Sequence, residues 1–97
     1  MDLKNIEYSF NKNVIYKDRG EMLMAYNQES SDMYEFNQVG GEIFKLLSTG
    51  TPISKVFEIL TNEYDVEESD IYEDVQQIID RLIELNVIKI GGKEDAK

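Results

Sequence analysis

The sequence contains neither cysteine nor histidine among its 97 residues. Their absence excludes disulfide bonds, thiolate chemistry, imidazole metal ligands and histidine general bases. Without histidine, no serine or threonine has an evident activating partner, and the lysines are spread among polar segments. We therefore expect no catalytic residue, no cofactor and no metal site, and we interpret the protein as a binding module rather than an enzyme.

Basic residues are also scarce, and no hydrophobic run is long enough to span a membrane. Ten Lys and Arg stand against twenty Asp and Glu, and the net charge of −10 repels phosphate backbones and anionic lipid. Nucleic acid and membranes are therefore not expected as partners. The N-terminal stretch MDLKNIEYSF lacks the basic start and apolar run of a signal peptide. We expect a cytoplasmic location, which the absence of cysteine fits.

The length suits one domain with a modest core. Residues 1–12 form an N-terminal arm in which Ile6, Tyr8 and Phe10 alternate with polar residues. This pattern is typical of a half-buried strand, although a frayed arm remains open as an alternative. We expect the folded domain to cover residues 13–90 and a flexible tail to cover residues 91–97.

A three-stranded antiparallel meander is predicted for the first part of the domain. The first strand contains Val14–Tyr16, and Gly20 supplies the positive φ that a short hairpin loop needs. The second strand, Glu21–Asn27, alternates apolar side chains between its two faces. The polar run Gln28–Asp32 then turns the chain into a short third strand, Met33–Phe36.

Three helices are predicted to follow the meander, which makes the fold α+β and winged-helix-like. Apolar residues recur at helical spacing over Gln38–Leu47, Pro52–Glu63 and Ser69–Leu85. Asn86 suits the left-handed conformation that closes a helix, and Val87–Ile90 is predicted to form a brief terminal strand. The predicted helix N-caps are Asn37, Thr51 and Ser69.

A glycine pair, Gly40-Gly41, lies in the first turn of the first predicted helix, where each glycine costs about 1 kcal/mol relative to alanine. Anion binding at the helix N-terminus is one explanation, but QVGGEIFK lacks the lysine-serine or lysine-threonine end of a phosphate loop. Close approach of another backbone explains the pair better. We expect the third helix to cross there.

The candidate binding surface is the edge of the third strand together with the third helix. That strand is last in the meander, so its outer backbone groups are unpaired unless a terminal segment covers them. One apolar stripe of the helix suits the core, whereas a second stripe forms either a groove wall beside the strand or ordinary core. Such a groove would accept an added strand. The candidate peptide-binding residues are Met33, Tyr34, Glu35, Phe36, Tyr72, Val75, Gln76, Ile79 and Ile83.

The segments YEFNQVGGEIFKLLSTGTPISKVFEIL and NEYDVEESDIYEDVQQIIDRLIELNVIKI resemble the PqqD-like family, the RiPP recognition elements of ribosomal peptide maturation. The resemblance covers about Val14–Ile90. It implies a non-catalytic peptide chaperone that holds the leader region of a precursor peptide as a strand added to Met33–Phe36. It also implies a client enzyme that modifies the peptide. A radical SAM enzyme is one such client, and lasso-peptide proteases and dehydrogenases are others.

Two other functions remain open at this point. A winged-helix nucleic-acid binder has the same order of elements, but Glu67–Leu85 carries seven acidic residues and one basic residue, Arg81. A homotypic interaction domain would dimerise through its sheet edge, with the arm Ile6–Phe10 pairing between chains. The arm could also cover the edge of its own third strand until a peptide displaces it.

Overall fold

The computed structural model describes residues 3–91, which fold into two small sheets and three helices. A short 3-10 turn, Leu3–Asn5, precedes the first strand. The predicted α+β arrangement of a three-stranded antiparallel sheet followed by three helices is confirmed. Of the predicted tail, only Gly91 lies within the described residues. The elements are β1 Tyr8–Phe10, β2 Val14–Asp18, β3 Leu23–Asn27, β4 Met33–Phe36, α1 Gln38–Ser48, α2 Ile53–Tyr64, α3 Glu68–Glu84 and β5 Ile88–Ile90.

The larger sheet has the order β2-β3-β4 and is antiparallel throughout. Its hairpin turn between β2 and β3 contains Gly20 at φ +91°, as the turn pattern predicts. One face of the sheet packs on the helices through Leu23, Ala25 and Phe36, which are buried. The other face exposes Met33 and its cross-strand neighbour Tyr26 to solvent. The sheet therefore has the one-sided burial of an antiparallel sheet that borders a core.

The N-terminal arm forms strand β1, which pairs with β5 and not with the larger sheet. Tyr8 lies opposite Ile90, and Phe10 lies opposite Ile88. The Asn11 amide extends this pairing by donating to the Val87 carbonyl at 2.8 Å. The arm is thus an extended strand, and it does not cover β4 in this structure.

The beginning of α1 follows the prediction, whereas α2 begins one residue later. The Gly40 amide donates to Oδ1 of Asn37 at 2.8 Å, so Asn37 is the N-cap of α1. The predicted N-cap Thr51 is wrong for α2, because Pro52 with ψ 147° occupies that position. Proline has no amide to donate, and its carbonyl accepts the first helical bonds.

The beginning of α3 also differs from the prediction. The N-cap is Glu67 and not Ser69. The Glu67 amide donates to the Asp70 carboxylate at 3.1 Å, and the Asp70 amide donates back to the Glu67 carbonyl at 2.9 Å. This reciprocal pair satisfies backbone donors at the helix start as a capping box does. The acid three residues downstream of Glu67 therefore decides the helix start.

The glycine pair is explained by a close contact, but the partner is not the predicted one. A Cβ atom on Gly41 would lie 2.9 Å from Cβ of Leu23, which belongs to strand β3. A Cβ atom on Gly40 would lie 3.2 Å from Oδ1 of Asn37. The third helix was expected to cross here, and that expectation is wrong. Glycine at position 41 is what lets α1 lie directly on the sheet.

The core lies between the larger sheet and the three helices, and Phe44 of α1 is at its centre. Its ring centroid lies 5.4 Å from that of Phe10, 5.4 Å from that of Tyr16 and 5.5 Å from that of Phe36. Aromatic residues of both sheets therefore pack against the ring of Phe44. Within residues 3–91, no helix is both long and apolar enough to cross a membrane.

Candidate functional site

The outer edge of β4 is open. β4 pairs with β3 on one side, and no strand among the described residues pairs with its other side. The only other strands, β1 and β5 in the described part of the chain, bond to each other. The edge predicted from the strand order is therefore available for another strand.

The register shows which backbone groups of β4 face outward. The Asn27 amide donates to the Asp32 carbonyl at 2.9 Å, which makes these two residues a hydrogen-bonded pair. Such pairs recur at every second residue of an antiparallel ladder. Tyr34 is therefore bonded to β3, whereas Met33 and Glu35 turn their N–H and C=O groups to the open edge.

An open groove of about 900 Å³ runs beside the start of β4. Its walls come from β4, from the C-terminal turn of α3 and from the sheet of β1 and β5. Tyr34 projects into it, half-buried, and no hydrogen bond from its hydroxyl to the described residues is present. The groove therefore offers an apolar surface next to unpaired backbone groups. Its apolar lining residues are Phe10, Tyr34, Ile83, Leu85, Ile88 and Ile90.

Arg81 of α3 contacts β4 through the ring of Phe36. Its guanidinium carbon lies 4.9 Å from the centroid of the Phe36 ring, which is a cation–π distance. Ile78 and Leu85 lie three residues before and four residues after Arg81, so they share this face of the helix. Of these three residues, Leu85 lines the groove, together with Ile83 and Glu84 of the C-terminal turn of α3.

The β4 half of the predicted site lies together at the edge. Met33 is 61% exposed, Glu35 is exposed and Tyr34 reaches into the groove. Phe36 is 3% exposed and supports Arg81 from the core. Its side chain therefore offers almost no surface to a ligand.

The helix half of the predicted site lies elsewhere. Val75 and Ile79 are each 1% exposed and belong to the core. Tyr72 and Gln76 line a separate hollow of about 390 Å³ between α3 and the N-terminal arm. Ile83 borders both this hollow and the groove. Of the predicted helix residues, the structure therefore places only Ile83 beside the groove.

The position of the arm explains this division of α3. Leu3 is buried, and its amide donates to the Tyr72 hydroxyl at 3.4 Å. The Tyr72 ring stacks on Phe57 of α2 with a centroid distance of 5.3 Å. The helix stripe that contains Tyr72 is therefore covered by α2 and the arm, whereas Arg81, on another side of α3, lies over Phe36 of β4.

Tyr8 holds the β1 wall of the groove in place. Its hydroxyl donates towards the Leu47 carbonyl in the last turn of α1 at 3.1 Å and towards the Thr51 carbonyl in the connection to α2 at 2.6 Å. Burial raises the pKa of Tyr8 to about 12. The hydroxyl is therefore still protonated near pH 10, where a tyrosine of ordinary pKa is half ionised, and its two contacts fix β1 against the helices.

Acidic side chains surround the mouth of the groove. Glu29 and Asp32 come from the turn between β3 and β4, and Glu84 comes from the last turn of α3. Lys89 is the one basic residue that lines the groove in the described part of the chain. No cluster of acidic side chains within residues 3–91 is arranged to hold a metal ion.

Several groove residues were not among the predicted ones. Phe10 and Ile88 were assigned to terminal segments, and only their pairing with each other brings them to the groove. Arg81 was also not predicted; it lies over Phe36 and does not line the groove, and its signal in the sequence is that it is the single basic residue of the third helix. Leu85 was predicted as the last residue of the third helix, and its half-buried side chain borders the groove.

An open strand edge beside an apolar groove is the arrangement of small domains that capture an extended chain by strand addition. Residues 23–88 match the family model described as Coenzyme PQQ synthesis protein D (PqqD). This match covers more than half of the chain, and the chain belongs to the PqqD family. No curated protein sequence matches it.

Two solved structures share the fold. TbiB1 in complex with the TbiA(beta) leader peptide superposes with a TM-score of 0.76 at 16% identity, over 90% of this chain and 99% of that one. Lasso peptide synthetase B1 complexed with the leader peptide gives a TM-score of 0.72 at 20% identity, over 86% of this chain and 98% of that one. At these identities the likeness establishes the fold.

Proposed function

We propose that this protein is a non-catalytic peptide chaperone that binds the leader region of a ribosomally synthesised precursor peptide. The leader adds to β4 as a further strand, and the chaperone presents the rest of the precursor to a modifying enzyme. The observation that carries the proposal is the open β4 edge beside the groove. Membership of the PqqD family and a fold shared with two leader-peptide complexes support it.

Strand addition would use the backbone of Met33 and Glu35. Each presents one N–H and one C=O outward, so an added strand can form up to four main-chain hydrogen bonds. These bonds do not depend on the ligand sequence. They supply affinity for an extended segment of any composition.

Side-chain specificity would come from the groove. Alternate residues of an added strand point to opposite faces of the sheet, so every second ligand residue enters the groove on the side of Tyr34. There it meets Leu85 of α3 and Phe10 and Ile88 of the smaller sheet. The remaining ligand residues lie on the outer face beside Met33. An extended segment with apolar residues at every second position fits this surface.

The helix wall in this proposal is the C-terminal turn of α3, with Ile83, Glu84 and Leu85. It replaces the predicted stripe, because Val75 and Ile79 are buried and Tyr72 and Gln76 face the arm. The predicted strand residues Met33, Tyr34 and Glu35 keep their binding role. Phe36 acts by supporting Arg81.

The client proposed here is a maturation enzyme of the cytoplasm, and the family resemblance suggests a radical SAM enzyme as one example. The exposed sheet face beside β4 would remain accessible when the leader fills the groove. The nucleic-acid alternative is disfavoured, because α3 would bring an acidic surface to a phosphate backbone.

Titration with a leader peptide tests the proposal. The isotopically labelled protein is mixed with the N-terminal half of a short precursor peptide encoded beside it, and backbone amide signals are followed by NMR. We expect saturable shifts in β4 and slower hydrogen exchange of the Met33 and Glu35 amides. Binding without protection of these two amides would contradict strand addition. No binding of any neighbouring precursor would contradict the chaperone function.

A further inference from the structure

The mouth of the groove holds three carboxylates from two separate elements. Glu29 and Asp32 precede β4, and Glu84 lies across the groove at the end of α3. Within this group, Glu29 accepts one hydrogen bond, of 3.4 Å, from the side-chain Nδ2 of Asn13. The mouth therefore concentrates negative charge at the Met33 end of the open strand.

These carboxylates form no ion pair within the described residues, although acids elsewhere do. At other places on the surface, three different lysine side chains form salt bridges with Glu68, Asp18 and Glu58. Lys89 also lines the groove, but no salt bridge joins it to the three acids in the described part of the chain. The charge at the mouth is thus not neutralised by the chain itself.

Arg81, the one basic residue of α3, does not line the groove. Its guanidinium lies over Phe36, the last residue of β4, whereas Glu84 lines the groove together with Asp32 and Tyr34. The charge that a ligand meets in the groove is therefore set by the three carboxylates at the mouth and by Lys89.

A bound strand would cover these carboxylates and remove part of their water. Burial of an unpaired charge is costly, and a charge of opposite sign on the ligand reduces that cost. A neutral or acidic ligand residue at this place would not offset the free-energy cost of removing water from the three carboxylates. Charge complementarity of this kind selects partners and sets their register.

We propose that the segment bound by this chain carries a lysine or arginine at the end that passes Met33, next to the apolar residues that enter the groove. This inference rests on the proposed function, because it names the class of leader peptide that the same site takes. The three carboxylates at the mouth are then specificity determinants.

A peptide selection tests the inference without knowledge of the natural ligand. A phage-displayed library of random 12-residue peptides is selected on the immobilised full chain and, separately, on Glu84→Lys and Glu21→Lys variants. Glu21 is the matched control, because it is exposed in the hairpin turn beyond the Phe36 end of the sheet. Both substitutions change the net charge equally. Lysine at position 84 also suits a helix C-terminus, so that variant should fold.

We expect the wild type and Glu21→Lys to enrich peptides with a basic residue beside alternating apolar ones, and Glu84→Lys to lose this preference. In a synthetic copy of the best peptide, exchange of its basic residue for glutamate should weaken binding to the wild type roughly tenfold. The same exchange should have less than half that effect on Glu84→Lys. Fluorescence anisotropy measures both affinities.

The outcomes separate this inference from the proposed function. Peptides that bind the open edge without a basic residue, or a basic preference that Glu84→Lys retains, would overturn the inference and leave the chaperone function intact. An equal loss of preference in Glu21→Lys would also overturn it, because only general charge attraction would then be at work. If no peptide and no leader binds, the proposed function fails, and this inference fails with it.

Discussion

Replacing Glu35 with proline tests strand addition at a single backbone atom. The Glu35 amide faces the open edge and is not part of the ladder to β3. Its side chain is exposed. Proline removes the N–H and is tolerated on edge strands where that donor faces outward. The substitution should therefore leave the fold intact and remove one bond to an added strand.

The expected loss follows from that bond. A neutral hydrogen bond contributes about 1 kcal/mol net, and a ligand carbonyl left without a donor in a covered site costs about 1–3 kcal/mol. A total loss of about 1.5–3 kcal/mol corresponds to a roughly 10- to 150-fold increase in Kd. Loss of the Glu35 charge must be separated from this effect. Glu35→Ala supplies the control, because it loses the same charge and keeps the amide.

Fluorescence anisotropy with a labelled leader peptide measures the Kd of the wild type and both variants. We expect Glu35→Ala to bind within about threefold of the wild type, since exposed charges contribute little, and Glu35→Pro to bind at least tenfold more weakly than Glu35→Ala. Thermal unfolding monitored by circular dichroism checks that both variants are folded. Equal affinities for two folded variants would refute strand addition at this edge.

Three further predictions concern the scaffold. Ile79→Asp should lower the free energy of unfolding by at least about 3 kcal/mol, because a carboxylate would be buried without a partner. A variant that is stable but binds the leader more weakly would contradict this and would show that Ile79 contacts the ligand. Gly41→Ala should lower the melting temperature, because contact with Leu23 costs about 1–3 kcal/mol and outweighs the helix propensity gained; an unchanged or higher melting temperature would contradict this close contact. Tyr8 has a raised pKa of about 12, so its contribution to stability is complete below pH 10 and is lost as the pH rises towards 12. Urea unfolding at pH 9 and pH 11.5 should show this loss in the wild type and a smaller one in Tyr8→Phe, and equal losses would contradict it.

Local signals in the sequence were sufficient for most elements. Asn37 could be predicted as the N-cap of α1 because a short polar side chain directly before an apolar helical pattern can accept a hydrogen bond from a free backbone amide of the first turn. Gly20 and Asn86 adopt the positive φ that their turn positions require. The open edge of β4 follows from its place at the end of the meander. Each of these features depends on residues close together in the chain.

The features that were not predicted depend on contacts between distant segments. Periodicity shows that α3 has two apolar stripes, but only the packing of Leu3 and α2 decides that Ile79 lies in the core and Tyr72 lies under the arm. The glycine pair indicates a close approach without indicating that Leu23 makes it. The start of α3 was missed because several acidic residues compete, and only the paired contacts of Glu67 decide among them.

The pairing of β1 with β5 joins the two ends of the described chain through three residues on each strand. Closing so long a loop costs conformational entropy, and the short pairing repays it only together with the Tyr8 hydroxyl bonds and the burial of Ile88. Loss of these contacts should therefore open this small sheet as one unit. If it opened, the groove would lose Phe10 and Ile88 from its lining and would become shallower beside β4. The depth of the binding site is therefore coupled to a local unfolding equilibrium, and an occupied groove should slow that opening.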